Sequence, residues 1–189
     1  MKVRESGMPD EHVWDSFFDP DLIIRKLCLT ERCRDVVEFG CGYGTFTLAA
    51  AKIVSGPVHA LDIEPQMLEI VSVKSECANL TNVKTHKRDF VTDGTGLADA
   101  SVDYVMLFNI LHTDDPVALL VEAQRTLRPH GRAGVIHWNY DPLTPRGPPM
   151  AIRPRPDHCQ HWAAQAGFDV STLVDLPPYH YGFVLSLPG

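Results

Sequence analysis

Three glycines at alternate positions, Gly40, Gly42 and Gly44, follow a short apolar run that contains one acid, Glu38. Glycine is needed where the backbone adopts a positive φ or lies against a ligand with no Cβ in between. A glycine turn between a buried strand and a helix is typical of nucleotide sites in doubly wound sheets. The run 36–45 therefore predicts a strand, a turn that contacts a ligand, and a helix.

The second candidate group is Asp62, which ends a second apolar run, 58–63. It follows the glycines by about 20 residues, the distance at which a carboxylate accepts hydrogen bonds from a ribose. An ionised carboxylate only accepts, so it suits two donor hydroxyls. The alternative is a solvated acid at a strand end, and the glycine turn at the matching distance favours the ribose.

The glycine spacing narrows the class of nucleotide. A dinucleotide loop of the Gly-x-Gly-x-x-Gly type needs glycine where this chain has Thr45, and a P-loop needs a Gly-Lys-Ser/Thr ending that is absent. An NAD-linked oxidoreductase stays open as a less favoured alternative, because it shares the strand, the glycine turn and the acid.

The segment Glu38-Phe39-Gly40-Cys41-Gly42-Tyr43-Gly44 resembles the first motif of the class I S-adenosylmethionine (SAM) dependent methyltransferases. The span from about 35 to 187 is similar to the ubiquinone/menaquinone-type branch of that family. The resemblance implies S-adenosyl-L-methionine as cofactor and methyl transfer to a small molecule, with the O-, C- or N-nucleophile left open. A SAM-binding module without catalysis is the alternative in another functional class.

The resemblance also implies which residues contact the cofactor, at the ends of four strands: Glu38, Phe39, Gly40, Cys41, Gly42, Gly44, Asp62, Ile63, Asp89, Phe90 and Asn109. In that arrangement Glu38 holds the amino group, Ile63 packs on the adenine and Asp89 accepts from the adenine amine. Glu38 has support of its own, because a carboxylate within an apolar strand is costly unless a cation pairs with it. Asp89 has the alternative of a turn-forming acid, and Asn109 that of a strand cap.

Methyl transfer needs a base only when the nucleophile carries a proton. We expect His112, three residues beyond Asn109, to be that base, because histidine titrates near neutral pH. The alternative is a histidine that packs or caps near Thr113, and His137 is a second candidate base.

Strands alternating with helices predict an α/β fold: a Rossmann-like, doubly wound, mostly parallel seven-stranded sheet with an antiparallel C-terminal strand and helices on both faces. The predicted strands are 35–40, 58–63, 83–90 (an edge strand), 102–109, 133–138, 168–175 and 181–187, and the helices are 21–29, 44–54, 65–78, 115–127 and 157–166. We expect one domain over residues 1–189.

Two segments border the predicted site. The proline-rich loop 141–156 carries Arg146, Arg153 and Arg155, which suit an anionic acceptor because guanidinium matches carboxylate and phosphate geometry; solvated loop charges are the alternative. Residues 1–20 form an extension whose aromatic residues, Trp14, Phe17 and Phe18, act either as a lid or as core.

Composition and motifs argue against several other functions. The net charge of −7 disfavours a nucleic-acid partner. Leu176-Pro177-Pro178-Tyr179 lacks the Asn or Asp that base-amino methyltransferases place first. Five cysteines without paired spacing predict reduced thiols in the cytoplasm. No apolar stretch is long enough for a membrane span, the first five residues lack the apolar core of a signal peptide, and no metal site is expected.

Overall fold

Helices and strands alternate along the computed structural model, which describes residues 9–189. The helices of this part of the chain are α1 (Glu11–Asp15), α2 (Pro20–Lys26), α3 (Thr45–Ala51), α4 (Pro65–Cys77), α5 (Pro116–Thr126) and α6 (Pro156–Gln165). The strands are β1 (Val36–Phe39), β2 (Val58–Asp62), β3 (Val83–Lys87), β4 (Val102–Phe108), β5 (Leu127–Trp138), β6 (Asp169–Val170), β7 (Val174–Leu176) and β8 (His180–Ser186).

The strands form one sheet in the order β3-β2-β1-β4-β5-β8-β6, with β7 paired to β8. Strands β1 to β5 pair in parallel, and β8 runs antiparallel to β5, β6 and β7. The predicted doubly wound, mostly parallel sheet is therefore confirmed, with β3 at an edge. It has eight strands rather than seven, because the segment predicted as one strand at 168–175 divides into β6 and β7. From β1 the chain adds β2 and β3 toward one edge of the sheet, and then β4 and β5 toward the other edge. In doubly wound sheets ligands bind where this direction changes, which is between β1 and β4 here.

Alternate residues of each central strand pack on opposite faces of the sheet, as strand geometry requires. Val37 and Phe39 belong to the cluster that α5 and α6 cover, whereas Val36 packs with the residues of α2 and α3. Helix α4 covers Ala60 on β2. Since β1 is buried on both faces, its one acid, Glu38, is buried with it.

Two strand boundaries differ from the sequence-based expectation. β3 ends at Lys87 rather than at residue 90, because the carbonyl of Asp89 accepts hydrogen bonds from Thr92 and Asp93 and turns the chain. β5 begins at Leu127 rather than at 133, through an irregular pairing with β4.

The proline-rich segment contains no helix or strand between β5 and α6, as predicted. No helix among residues 9–189 has the length and apolar character needed to cross a bilayer. The expectation about a signal peptide concerns residues that lie outside the described part of the chain.

Candidate functional site

A cleft of about 540 Å³ lies at the carboxyl ends of β1, β2, β4 and β5. Its walls come from the loops that follow these strands, from the start of α3 and α4, and from the segment before α2. The size lies within the range of small-molecule and cofactor sites, which is roughly 300–1,000 Å³. The position is the one at which doubly wound sheets bind ligands.

The glycine turn after β1 has the predicted positive φ angles of 77°, 50° and 79° at Gly40, Gly42 and Gly44. The N–H groups of Gly40 and Cys41 both donate to the carbonyl of Leu61, each over 2.9 Å, which fixes the turn against β2. A Cβ on Gly44 would lie 2.9 Å from a methyl carbon of Val71 on α4. The turn therefore depends on glycine both for its backbone angles and for the close approach of α4.

Asp62 anchors the turn from the neighbouring strand. Its Oδ2 accepts from the Gly42 N–H over 3.0 Å, and its Oδ1 accepts from the Glu64 N–H over 2.9 Å. Burial raises the pKa of this carboxyl group, while hydrogen bonds from the backbone of Glu64, Gly42 and Ile63 oppose the rise. A carboxylate can accept about four hydrogen bonds, so Asp62 keeps acceptor capacity for a ligand in the cleft that it lines.

Glu38 is the most perturbed acid of the cleft. Its side chain is only 2% exposed, and the hydroxyl of Thr47 on α3 donates to its Oε2. Burial raises its pKa from 4.5 to about 8, and the negative charge of Asp62 adds to the rise. No Lys, Arg or His of residues 9–189 forms an ion pair with it. The pocket around Glu38 therefore favours a cation that a ligand would supply.

Asn109 follows β4 with a φ of +57°, an uncommon value for a residue with a side chain. Its backbone N–H donates to the Ile136 carbonyl over 2.8 Å. The side chain is 9% exposed and lines the cleft, yet its amide oxygen and nitrogen have no partner among residues 9–189. Buried polar atoms are nearly always hydrogen-bonded. Asn109 thus offers an N–H₂ donor group and an acceptor oxygen to a bound molecule.

Ile63, Asp89 and Phe90 line the cleft at the ends of β2 and β3. The Asp89 carboxylate accepts from the N–H and the hydroxyl of Thr92, each over 3.2 Å, so this acid does form a turn. Phe90 is buried, and its ring lies 5.2 Å from that of Phe39, which belongs to the core. This end of the cleft presents an apolar surface with one acceptor at its edge.

Two histidines meet beyond Asn109. His112 is 4% exposed and lines the cleft, whereas His137 is fully buried behind it and does not. The two rings are 5.5 Å apart. Nδ1 of His137 accepts from the Trp138 N–H over 3.0 Å, and burial lowers the pKa of His137 well below 6.5. Of the two predicted bases, only His112 has access to a ligand.

The three loop arginines have different roles in the fold. Arg153 is 8% exposed, and its guanidinium donates to the carbonyls of residues 139, 141, 146 and 148 and to the hydroxyl of Thr144. Arg155 lies over the ring of Tyr140 at 4.3 Å. Arg146 alone of the three lines the cleft. Arg153 therefore holds the loop together and is not available to an acceptor.

The segment before α2 closes one side of the cleft through Pro9 and Trp14. The hydroxyl of Tyr43 donates to the Pro9 carbonyl over 3.2 Å, and the hydroxyl of Thr45 donates to Asp15 over 2.8 Å. These tethers join the segment to the residues of the glycine turn. Phe17 is buried beside Trp138 at 5.3 Å, so one aromatic residue faces the cleft and another packs in the core.

Ten of the twelve predicted site residues line the cleft. The exceptions are Phe39, whose side chain lies in the core, and Gly44, the N-cap residue of α3. The sequence analysis did not assign a further group of lining residues, most of them next to assigned ones: Tyr43, Thr45, Phe46, Glu64, Gln66, Met67, Arg88, Val91, Phe108, Ile110, Trp138, Gly147 and Pro148. For those next to an assigned residue, such as Glu64 and Ile110, the position just beyond a strand end is the signal that could have identified them.

Comparison with known proteins gives a consistent result. A family model described as a methyltransferase domain matches residues 36–131, about half of the chain. The chain is 35% identical over 170 residues to an uncharacterized 37.1 kDa protein in transposon TN4556 of Streptomyces fradiae, covering 80% of this chain and 46% of that protein. It is 31% identical over 113 residues to ribosomal protein L11 methyltransferase of Thermoanaerobacter sp. (strain X514), covering 56% of this chain and 34% of that protein.

The chain thus spans less than half the length of these two relatives. Among solved structures, a SAM-dependent methyltransferase of Aquifex aeolicus superposes with a TM-score of 0.83 at 24% identity, over 95% of this chain and 94% of that one. At this sequence identity the superposition shows that the two chains share a fold.

Proposed function

Because the chain belongs to the methyltransferase domain family, we propose that it is a class I enzyme that transfers a methyl group from S-adenosyl-L-methionine to a small-molecule acceptor. The observation that carries the proposal is the buried acid Glu38, which lies in the cleft without a cationic partner among the described residues. The amino group of the cofactor would supply the missing cation.

The other residues of the cleft are compatible with the remaining parts of the cofactor. The spare acceptor capacity of Asp62 suits the two ribose hydroxyls. The Asn109 amide would border both the methionine moiety and the acceptor, and its unpartnered atoms would gain hydrogen bonds there. Ile63 and Phe90 offer apolar contact to the adenine, and Asp89 lines the same end of the cleft.

When bound, the cofactor supplies a methyl group on a positively charged sulfur, which leaves as a neutral thioether. The chain has to align the acceptor with that methyl group, and alignment alone supplies up to about 7–11 kcal/mol in ideal cases. Trp14 and the segment around it act as a lid that keeps water out of the cleft. His112 accepts the proton of the nucleophile when the nucleophile carries one.

The acceptor is proposed to be a small molecule with an anionic group, because the cleft has the volume of a small-molecule site and Arg146 lies at its wall. The ubiquinone/menaquinone-type branch stays a prediction from the sequence. The relative that methylates ribosomal protein L11 makes a protein acceptor the competing possibility. A cytoplasmic location is also a proposal, supported by five unpaired cysteines.

The proposal is tested by incubating the chain with SAM and pools of small molecules, and separately with ribosomal protein L11. Mass spectrometry then detects acceptors that are 14 Da heavier. A methylated small molecule supports the proposal, and methylated L11 alone would replace it with the protein acceptor. Binding of SAM without any methylated product would favour a non-catalytic module, and calorimetry showing NAD bound in its place would favour an oxidoreductase.

The variant His112→Gln tests the proposed base. We expect turnover to fall by about 10²- to 10⁴-fold, the usual contribution of a general base, while the affinity for SAM stays within twofold. His137→Gln is the matched control for a structural effect on the neighbouring ring. Unchanged turnover in His112→Gln would show that no base acts at this position.

A further inference from the structure

Building on the proposed function, we propose that the acceptor is a hydroxylated aromatic carboxylic acid, held between aromatic side chains and selected by Arg146. The aromatic walls of the cleft, its one available arginine and the unpartnered amide of Asn109 carry this inference. Each of these three observations points to a different part of the same molecule.

Part of the cleft wall is aromatic. Trp14 and Trp138 approach edge to face at 6.4 Å, and Phe46 and Phe108 do so at 4.8 Å, and all four line the cleft. Such rings bind another ring through offset or edge-to-face contacts, which add to the burial of apolar surface. This part of the cleft therefore favours a planar, unsaturated acceptor.

Arg146 is the arginine that remains free for the acceptor. Arg88 also lines the cleft, but its guanidinium donates to the carbonyls of Asp93 and Gly94, each over 2.8 Å. Arg153 is committed to the loop, and Arg155 to Tyr140. Within residues 9–189 no carboxylate pairs with Arg146, whose side chain is exposed at the wall.

The loop holds Arg146 in a defined place. The Arg146 carbonyl accepts from Arg153 over 3.2 Å. The next residue, Gly147, has a φ of +115°, and a Cβ there would lie 2.7 Å from the Trp138 ring. The backbone of Gly147 therefore lies against Trp138. A ring bound beside Trp138 would have its carboxylate within reach of the long Arg146 side chain. A carboxylate paired with guanidinium can form two parallel hydrogen bonds.

Asn109 lines the same cleft, directly after β4. Its amide has an unused donor and an unused acceptor, and a ring hydroxyl is able to satisfy either one. In the reaction the hydroxyl oxygen forms a new bond to the methyl carbon as the methyl–sulfur bond breaks. The electron pair of the broken bond stays on sulfur, and the hydroxyl proton passes to the imidazole of His112.

The test uses tryptophan fluorescence, since two of the three tryptophans line the cleft. The protein is first saturated with S-adenosylhomocysteine, whose binding is measured by calorimetry. It is then titrated with 2-, 3- and 4-hydroxybenzoate, with the corresponding hydroxybenzamides, and with cyclohexanecarboxylate. We expect at least one hydroxybenzoate to bind about tenfold or more tightly than its neutral amide and than the non-aromatic acid, as expected for a charged hydrogen-bonded pair.

In Arg146→Gln that preference is expected to disappear, whereas Arg155→Gln, the matched loop control, keeps it. If S-adenosylhomocysteine binds but every benzoate and its amide bind equally or not at all, the acceptor class is wrong while the proposed function stands. An unchanged preference in Arg146→Gln would likewise overturn the role of this residue. Failure of S-adenosylhomocysteine to bind would overturn the proposed function, and the acceptor class with it.

Discussion

The protonation of Glu38 should make cofactor affinity depend on pH. Burial raises the pKa of this acid to about 8, so most of the ligand-free protein carries it neutral at pH 7. A cationic amino group binds the ionised form, and binding therefore has to remove the proton. The ionised fraction rises from about 1% at pH 6.0 to about 24% at pH 7.5, which follows from a pKa near 8.

The affinity for S-adenosylhomocysteine should accordingly increase about 20-fold between these two pH values, or about 1.8 kcal/mol. Even pH 7.5 lies below the usual pKa of an α-amino group, which is about 7.7–8.0, so the amino group of the ligand stays mostly cationic. Isothermal titration calorimetry in two buffers of different ionisation enthalpy measures the number of protons released on binding. We expect release of about 0.9 proton per molecule bound at pH 7.

Glu38→Gln is the control, because the amide keeps the shape and cannot ionise. Its affinity should be lower and nearly independent of pH, with no proton released. Wild-type binding that is flat between pH 6.0 and 7.5, or that shows no proton release, would refute the assignment of Glu38 to the amino group.

The same substitution should stabilise the ligand-free fold. The folded-state pKa of Glu38 lies above the unfolded value of 4.5, so between pH 4.5 and 8 the unfolded state binds fewer protons. Stability of the wild type therefore falls as pH rises through this window. The difference in unfolding free energy between Glu38→Gln and wild type should widen by about 3 kcal/mol from pH 4.5 to 7. Urea unfolding at both pH values measures it, and a constant difference would contradict the raised pKa.

Three further substitutions test other parts of the site. Asp62→Asn should weaken the binding of S-adenosylhomocysteine, measured by calorimetry, about 10- to 100-fold, because a charged acceptor is lost. Unchanged affinity would refute the ribose role. Gly44→Ala should lower the free energy of unfolding by about 1–3 kcal/mol, because of its positive φ and the contact with Val71; a wild-type melting curve would contradict this. Arg153→Met should lower the free energy of unfolding by about 2–4 kcal/mol, because the loop carbonyls, among them that of the buried Pro148, lose their donor. Arg155→Met should lower it by less than about 1 kcal/mol, and equal losses would refute the distinction.

Much of the cofactor side of the cleft could be predicted because its determinants are local. Gly40 and Gly42 follow a strand that is apolar enough to recognise, and the backbone angles that they adopt are those that only glycine takes readily. Asp62 lies at the end of the next strand, and parallel pairing of β1 with β2 brings it to the turn. Spacing along the chain was sufficient to place these residues together.

The acceptor side could not be predicted in this way, because long-range packing decides it. Arg153 looks like a solvent-exposed loop charge in the sequence, but its hydrogen bonds go to carbonyls between 5 and 14 positions away and bury it. Trp138 looks like an ordinary strand residue, and its position in the cleft depends on how far β5 extends beside β4. No local pattern reports on either arrangement.

A crystal structure of the chain with S-adenosylhomocysteine tests the central claim most directly. The account predicts the amino nitrogen of the ligand within about 2.7–2.9 Å of a Glu38 carboxylate oxygen, as in a charge-assisted hydrogen bond, and both ribose hydroxyls on Asp62. A ligand bound with its adenine at Glu38, or a saturated crystal with no ligand in the cleft, would contradict it.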